Sequence, residues 1–308
     1  MPLPGLKRAV ERVLVRAGVA GIAARRTGSR SLILAYHNVV PDRQSPVGDR
    51  SLHLPLQDFR QQLDALSSLC DVVALDDAFG PRASSGRPRV AITFDDAYRG
   101  AVTWGVEELA QRGMAATIFV APGLLGDQPF WWDEAAAGSP EGLDPACRDE
   151  ALQRCRGEAP AVRHWLAGQG VDLRPDLVPP AARSARVEEL AHAVALHPGL
   201  TLGAHSWSHP NLAALPDAAL SDELRRPLEW LRASFPRATV PWLAYPYGLE
   251  SPAVQRAAEA AGYAGGLRVS GGWLTRGAEP SFAVARMNIP SGLSADGFLL
   301  RVSGAFRQ

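Results

Sequence analysis

The sequence predicts an α/β fold, a (β/α) barrel of seven or eight units that is irregular or incomplete, and three observations lead there. Short, almost continuously apolar runs recur along the chain, too hydrophobic for strands with one wet face. Helical periodicities separate several of them, as a parallel sheet covered on both faces requires. Several runs also finish on reactive polar side chains, the pattern expected where parallel strands point their C-terminal ends at one face. An open doubly wound sheet is the alternative architecture.

Taken in order, the chain begins with "MPLPGLKRAVERVLVRAGVAGIAARR", charged at 7, 8, 11, 12 and 16. Its longest apolar run, "AGVAGIAA", leads into Arg25 and Arg26, a weak pattern for a secretory signal. Apolar residues at 6, 10, 13, 14 and 17 instead describe an amphipathic helix with a basic face. Such a helical extension, residues 1–30, packs on the domain or lies on a membrane surface, and packing is the preferred reading. The expected location is cytoplasmic, with peripheral contact to the inner membrane through this helix left open.

The barrel domain then occupies 31–308. Strands are expected at "LILAYH" (32–37), "VVAL" (72–75), "VAITF" (90–94), "ATIFVA" (116–121), "TLGAH" (201–205), "WLAYP" (242–246), "GGLRV" (265–269) and "FAVARMNI" (282–289). Periodic helices fall at 55–68, 101–112, 217–234 and 252–261. Residues 127–185 break the rhythm with "QPFWWDEAAAG", "RDEALQRCRGEA" and "RPDLVPPAARS". That length far exceeds an ordinary connection and reads as an insertion on the barrel rim.

Composition excludes several function classes. With 308 residues, 46% of them hydrophobic, one large domain is as plausible as two. The 32 basic and 32 acidic residues cancel, so no bulk field favours nucleic acid and none is expected as a partner. Cys70, Cys147 and Cys155 form neither a disulfide framework nor a zinc cluster. No apolar run approaches the ~20 residues that span a bilayer.

The strand ends carry the chemistry. "VAITF" runs into Asp95 and Asp96, two like charges that are costly to desolvate unless a cation or proton shares the site. The structural alternative is an Asp capping the following helix. His205 and His209, four apart, would share one side of a helical turn. Two histidines with one carboxylate and a position left for water is a catalytic zinc arrangement. One Asp can then bind the metal while its neighbour stays ionised as a base.

"TFDD" at 93–96, "HSWSH" at 205–209 and "YPYG" at 245–248 resemble, in order, successive motifs of the NodB-like polysaccharide deacetylases, carbohydrate esterase family 4. The likeness spans roughly residues 30 to 290. It implies a distorted (β/α) barrel of about seven strands, a divalent metal, commonly zinc, and hydrolysis of acetyl groups from an acetylated glycan. By position it makes Asp95 the general base, Asp96, His205 and His209 the metal ligands, and the Tyr247 N–H an oxyanion donor.

Two departures stand out. The third motif usually begins with an arginine that orients the catalytic Asp, but Ala244 stands there. The late Leu-x-His motif is missing, since no histidine follows His209. "ILAYHNVV" resembles the opening of the exopolysaccharide and poly-N-acetylglucosamine deacetylase branch, where an early histidine takes that place, making His37 the candidate acid; a core histidine is its structural alternative. Trp131 and Trp132 either stack on sugar or form the insertion's own core. Trp207 is expected beneath the metal site, and Trp273 in the pocket wall. His53, His164, His192 and His197 show no constellation.

The resulting expectation is a metal-dependent deacetylase acting on the N-acetyl groups of N-acetylhexosamine residues. A non-catalytic glycan-binding relative and a sugar O-acetyl esterase are the alternatives. "GxSxG" is absent, so a serine hydrolase finds no support.

Overall fold

The computed structural model describes residues 4–28, 30–42, 48–79, 85–139, 142–274 and 277–306. In chain order the strands are β1 (Ser31–Tyr36), β2 (Asn38–Val40), β3 (His53–Pro55), β4 (Asp71–Val73), β5 (Arg89–Phe94), β6 (Ala116–Val120), β7 (Leu200–Ala204), β8 (Thr239–Ala244), β9 (Gly265–Arg268), β10 (Val284–Ala285) and β11 (Met287–Asn288). The helices are α1 (Pro4–Arg16), α2 (Val19–Thr27), α3 (Leu56–Leu69), α4 (Val106–Arg112), α5 (Trp131–Ala137), α6 (Pro145–Arg154), α7 (Ala159–Gly168), α8 (Val187–Leu196), α9 (Asp217–Ser234), α10 (Pro252–Ala260) and α11 (Ala295–Val302).

The strands of the main sheet pair in parallel, in the order β10-β9-β8-β7-β6-β5-β1-β11, with β4 also beside β5. Its two ends nearly meet: β10 pairs with β9, β11 pairs with β1, and Arg286 alone separates β10 from β11. The sheet is thus nearly closed into a barrel, as expected, and is not an open doubly wound sheet. "FAVARMNI" is therefore not one strand, because a single straight run cannot pair with both edges of the gap it crosses. β2 and β3 form a separate small sheet that the sequence did not announce; strands of three residues are too short to show alternation.

Side chains alternate between two cores. Ile33, Ala91, Phe119, Trp242, Ala244 and Leu267 fill the barrel interior. Residues of the opposite parity, such as Leu32, Leu34, Val90, Ile92, Ile118 and Leu202, pack outward beneath the helices. Burial on both faces is why these strands read as continuous apolar runs. The helices expected at 55–68, 217–234 and 252–261 agree closely with α3, α9 and α10. The one expected at 101–112 opens with a π-helical turn, Ala101–Gly105, before α4.

Residues 127–185 carry α5, α6 and α7 and add no strand to the sheet. Isolated bridges Tyr98–Ser184 and Pro129–Arg183 tie their ends down. The segment is anchored to the domain: Trp131, Trp132 and Ala135 of α5 join the outer core.

Candidate active site

Strand parity aims the first acid. Ala91 faces the barrel interior, Thr93 donates to the Leu34 carbonyl at 2.7 Å, and Asp95 follows two residues on, at the mouth. Asp95 is buried, and neither acid caps a helix. Both its oxygens accept from one guanidinium: Arg286 Nη1 donates to Oδ1 and Nη2 to Oδ2, each at 2.7 Å. Arg286 is itself fully buried, also donates to Thr93 Oγ1 at 3.0 Å, and lies 5.5 Å from the Phe119 ring centroid. Burial alone would raise the Asp95 carboxyl, but the charges of Arg286, His205 and His37 and the Arg286 hydrogen bonds hold it below the ordinary carboxylate range.

Arg286 answers the puzzle of Ala244: a guanidinium orients Asp95 after all, delivered from the barrel closure instead of from β8. A signal existed. A lone arginine inside the apolar run "FAVARMNI" can be buried only if paired, and that need points to a carboxylate.

The second acid meets the histidines. Asp96 Oδ1 lies 3.2 Å from His209 Nε2 and 3.5 Å from His205 Nε2, and the two Nε2 atoms are 3.1 Å apart. The His205 Nδ1–H donates to the Ala244 carbonyl at 2.7 Å, which leaves Nε2 with its lone pair toward the other two atoms. Bonds of about 2.0–2.2 Å at tetrahedral angles put neighbouring ligand atoms about 3.3–3.6 Å apart. The triad is close to that spacing, and buried Asp96 Oδ1 has no hydrogen-bond partner, so these residues fit a divalent cation. Burial would raise Asp96, yet its close interaction with His205 and His209 holds it well below the ordinary range. Burial opposes charge on His205, yet Asp95 and Asp96 raise its imidazole above the ordinary value. Burial keeps the His209 imidazole below it.

The histidines do not share a helical turn. Residues 205–211 form a tight loop in which Ser206 and His209 take positive φ, 60° and 61°. Asp96 (φ 68°), Ala97 (φ 50°) and Tyr247 (φ 59°) do the same, so most of the described non-glycine residues with positive φ lie in or beside the three motifs.

His37 and Tyr247 complete the mouth. Tyr36 pairs with Phe94 in register, so His37 and Asp95 leave adjacent strands side by side. Both line a cavity of about 150 Å³ together with Asp96, His205, His209 and Tyr247. Burial pushes the half-buried His37 imidazole down, Asp96 and Asp95 oppose this, and it lies below its ordinary value. The Tyr247 hydroxyl accepts from Trp131 Nε1 at 3.2 Å, and its ring centroid lies 4.6 Å from that of His209.

Both tryptophans of α5 are buried, which rules out free platforms for sugar. Trp132 nevertheless lines the cavity, its ring 5.1 Å from His209, and α6 adds Arg148. Trp207 does not lie in the cavity wall but beneath Arg226, 4.0 Å from its ring centroid. Trp273 is likewise not in the wall; its carbonyl accepts from Arg30, at the opposite end of β1. His164 and His192 stay apart, and His197 bonds the Met114 carbonyl.

His53 does have a constellation. Asn38 Nδ2 donates to its Nδ1 (3.0 Å), so its Nε2–H donates to Asp133 Oδ1 (2.9 Å). The Tyr98 hydroxyl donates to Asp133 Oδ2 (2.7 Å) while accepting from Trp132 Nε1 (2.8 Å), and the Asp49 N–H reaches Oδ1 (2.9 Å). This buried network fixes Trp132 against His209. Asp133→Ala strands three donors, and urea unfolding should show a loss of about 3 kcal/mol or more, with Asp133→Asn losing less. A loss under about 1 kcal/mol would contradict the network's role.

Three comparisons bear on identity. No curated protein matches the chain by sequence. The Streptococcus pyogenes deacetylase PplD in complex with acetate is similar in structure at 15% identity and TM-score 0.61, covering 88% of this chain and 97% of that one. IcaB from Ammonifex degensii gives 16%, 0.60, 89% and 97%. The BpsB deacetylase domain from Bordetella bronchiseptica gives 15%, 0.53, 85% and 96%. At such identities the likeness establishes the barrel. The family profile described as Polysaccharide deacetylase, however, matches residues 82–266 directly in sequence. Since that match takes in more than half of the chain, the protein belongs to the polysaccharide deacetylase family of hydrolases.

Proposed function

We propose that this deacetylase hydrolyses the N-acetyl groups of N-acetylhexosamine residues in a glycan, with a divalent cation held by Asp96, His205 and His209. One observation carries the reading: adjacent acids are held for different tasks. Asp96 turns an unpartnered oxygen toward two Nε2 atoms, while Asp95 is locked through both oxygens to Arg286. A donor set of two imidazoles and a carboxylate suits zinc best.

When bound, the cation would supply Lewis acidity toward the acetyl carbonyl and the attacking water. Asp95 takes the proton from that water, since each of its oxygens keeps a second lone pair beside the Arg286 bonds. Arg286 keeps Asp95 ionised and aimed. The Tyr247 N–H meets charge developing on the carbonyl oxygen. His37 gives a proton to the departing nitrogen, so acetate and a free amino sugar result. The cavity of about 150 Å³ supports an acetyl-sized reacting group, being close to the volume that accepts benzene in an apolar site.

The test compares leaving groups. An amine leaves poorly unless protonated, whereas an aryl acetate needs an acid less. His37→Ala should therefore cut acetate release from N-acetylglucosamine oligomers by about 10²-fold or more, with a clearly smaller loss on the aryl ester and unchanged metal content. Equal losses on both substrates, or loss of the metal, would falsify the acid role. Faster release from an O-acetylated glycan by the unaltered protein would make it an esterase instead.

A further inference from the structure

The N-terminal helix is docked with its apolar ridge turned outward. Leu6, Val10 and Val13 of α1 are 60%, 49% and 64% exposed, and Ile22 of α2 is 52% exposed. At about 100° per residue, Leu6, Val10 and Val13 lie within about 60° of one another. The inward face combines half-buried Leu14 and Val15 with polar contacts. Glu11 is buried and accepts from Ser294 Oγ at 2.6 Å, and Arg8 acts electrostatically on Asp58 of α3. A helix that merely covers a domain keeps its apolar residues inward, so packing alone leaves the Leu6–Val10–Val13 ridge without a partner.

Cations surround the ridge. Lys7, Arg12, Arg16, Arg25 and Arg26 are exposed, and the last four make no ion pair among the described residues. Residues 1–30 contain one acid, the buried Glu11, in a chain whose formal charges sum to zero. Ser294 caps the start of α11, just after β11, whose Asn288 lines the catalytic cavity. Thr27 bonds Ser303 just past the end of α11, so α1 and α2 together touch both ends of that helix.

We propose that α1, with the basic end of α2, lies in the headgroup region of an anionic phospholipid bilayer. The Leu6–Val10–Val13 ridge enters the acyl boundary and the flanking arginines meet lipid phosphates. Among the described residues, no helix is long and apolar enough to cross a membrane, which agrees with a helix lying on the surface. A second copy of the chain is the competing occupant, but two like-charged basic faces would repel.

Co-sedimentation of the full chain with vesicles tests this. Binding is expected to phosphatidylglycerol–phosphatidylcholine vesicles, falling as salt rises, and not to phosphatidylcholine alone. The triple variant L6S, V10S, V13S should lose at least about 30-fold in partitioning. The double variant R12Q, R16Q should lose about 20- to 30-fold. Both should keep wild-type melting and acetate release from soluble oligomers, so the result is independent of the catalytic reading. Equal binding to neutral vesicles would overturn the proposal, as would wild-type binding by the ridge variant. So would a dimer that dissociates in the ridge variant while neither form binds vesicles.

Discussion

Arg286→Met should lower kcat/KM for acetate release by about 10²–10⁴-fold, the span a positioned proton-transfer group typically contributes. Without the guanidinium, Asp95 remains buried beside ionised Asp96, and a carboxyl in that position takes up a proton and ceases to be a base. The same variant should lose about 3–5 kcal/mol of stability in urea unfolding, because a buried charge has lost its partner. Adding Asp95→Asn should recover part of the stability and none of the activity. That split separates a positioning role from a merely structural one. Activity within about threefold of wild type in Arg286→Met would remove Arg286 from the mechanism.

His205→Ala and His209→Ala should each abolish bound metal and reduce acetate release by about 10³-fold or more, since a metal contributes several kcal/mol to charge stabilisation. Chelation of the wild type should do the same reversibly. Added zinc should raise the melting temperature of the chelated wild type but not of either variant, because only a ligand that binds the native state stabilises it. Full metal occupancy in both variants, or chelator-insensitive activity, would sink the assignment.

Much of this site was legible in the sequence because Asp95, Asp96, His205, His209 and Tyr247 lie in three compact motifs at the ends of strongly apolar strands. The barrel was legible for the same reason, since strands buried on both faces have no polar alternation to confuse them. What escaped depends on closure. Arg286 becomes Asp95's partner only when β10 and β11 reach opposite edges of the sheet, and no local pattern encodes that step. The loop geometry at 205–209 escaped too, because a four-residue spacing fits a helix as well as a positive-φ turn. His53 looked solitary because Asp133 lies far along the chain, inside the insertion.

The closure at Arg286 also couples completion of the barrel to the orientation of Asp95. Met287 takes its place beside Leu34, so the final stave must find one laid down near the start of translation, a non-local pairing of the kind that slows folding. Until that stave arrives, the groove beside β1 is open and Asp95 has no guanidinium. A chain that has made TFDD, HSWSH and YPYG but not yet Arg286 holds the residues proposed to bind the cation without the guanidinium that orients Asp95. The last two strands to emerge close the ring and carry between them the partner of Asp95.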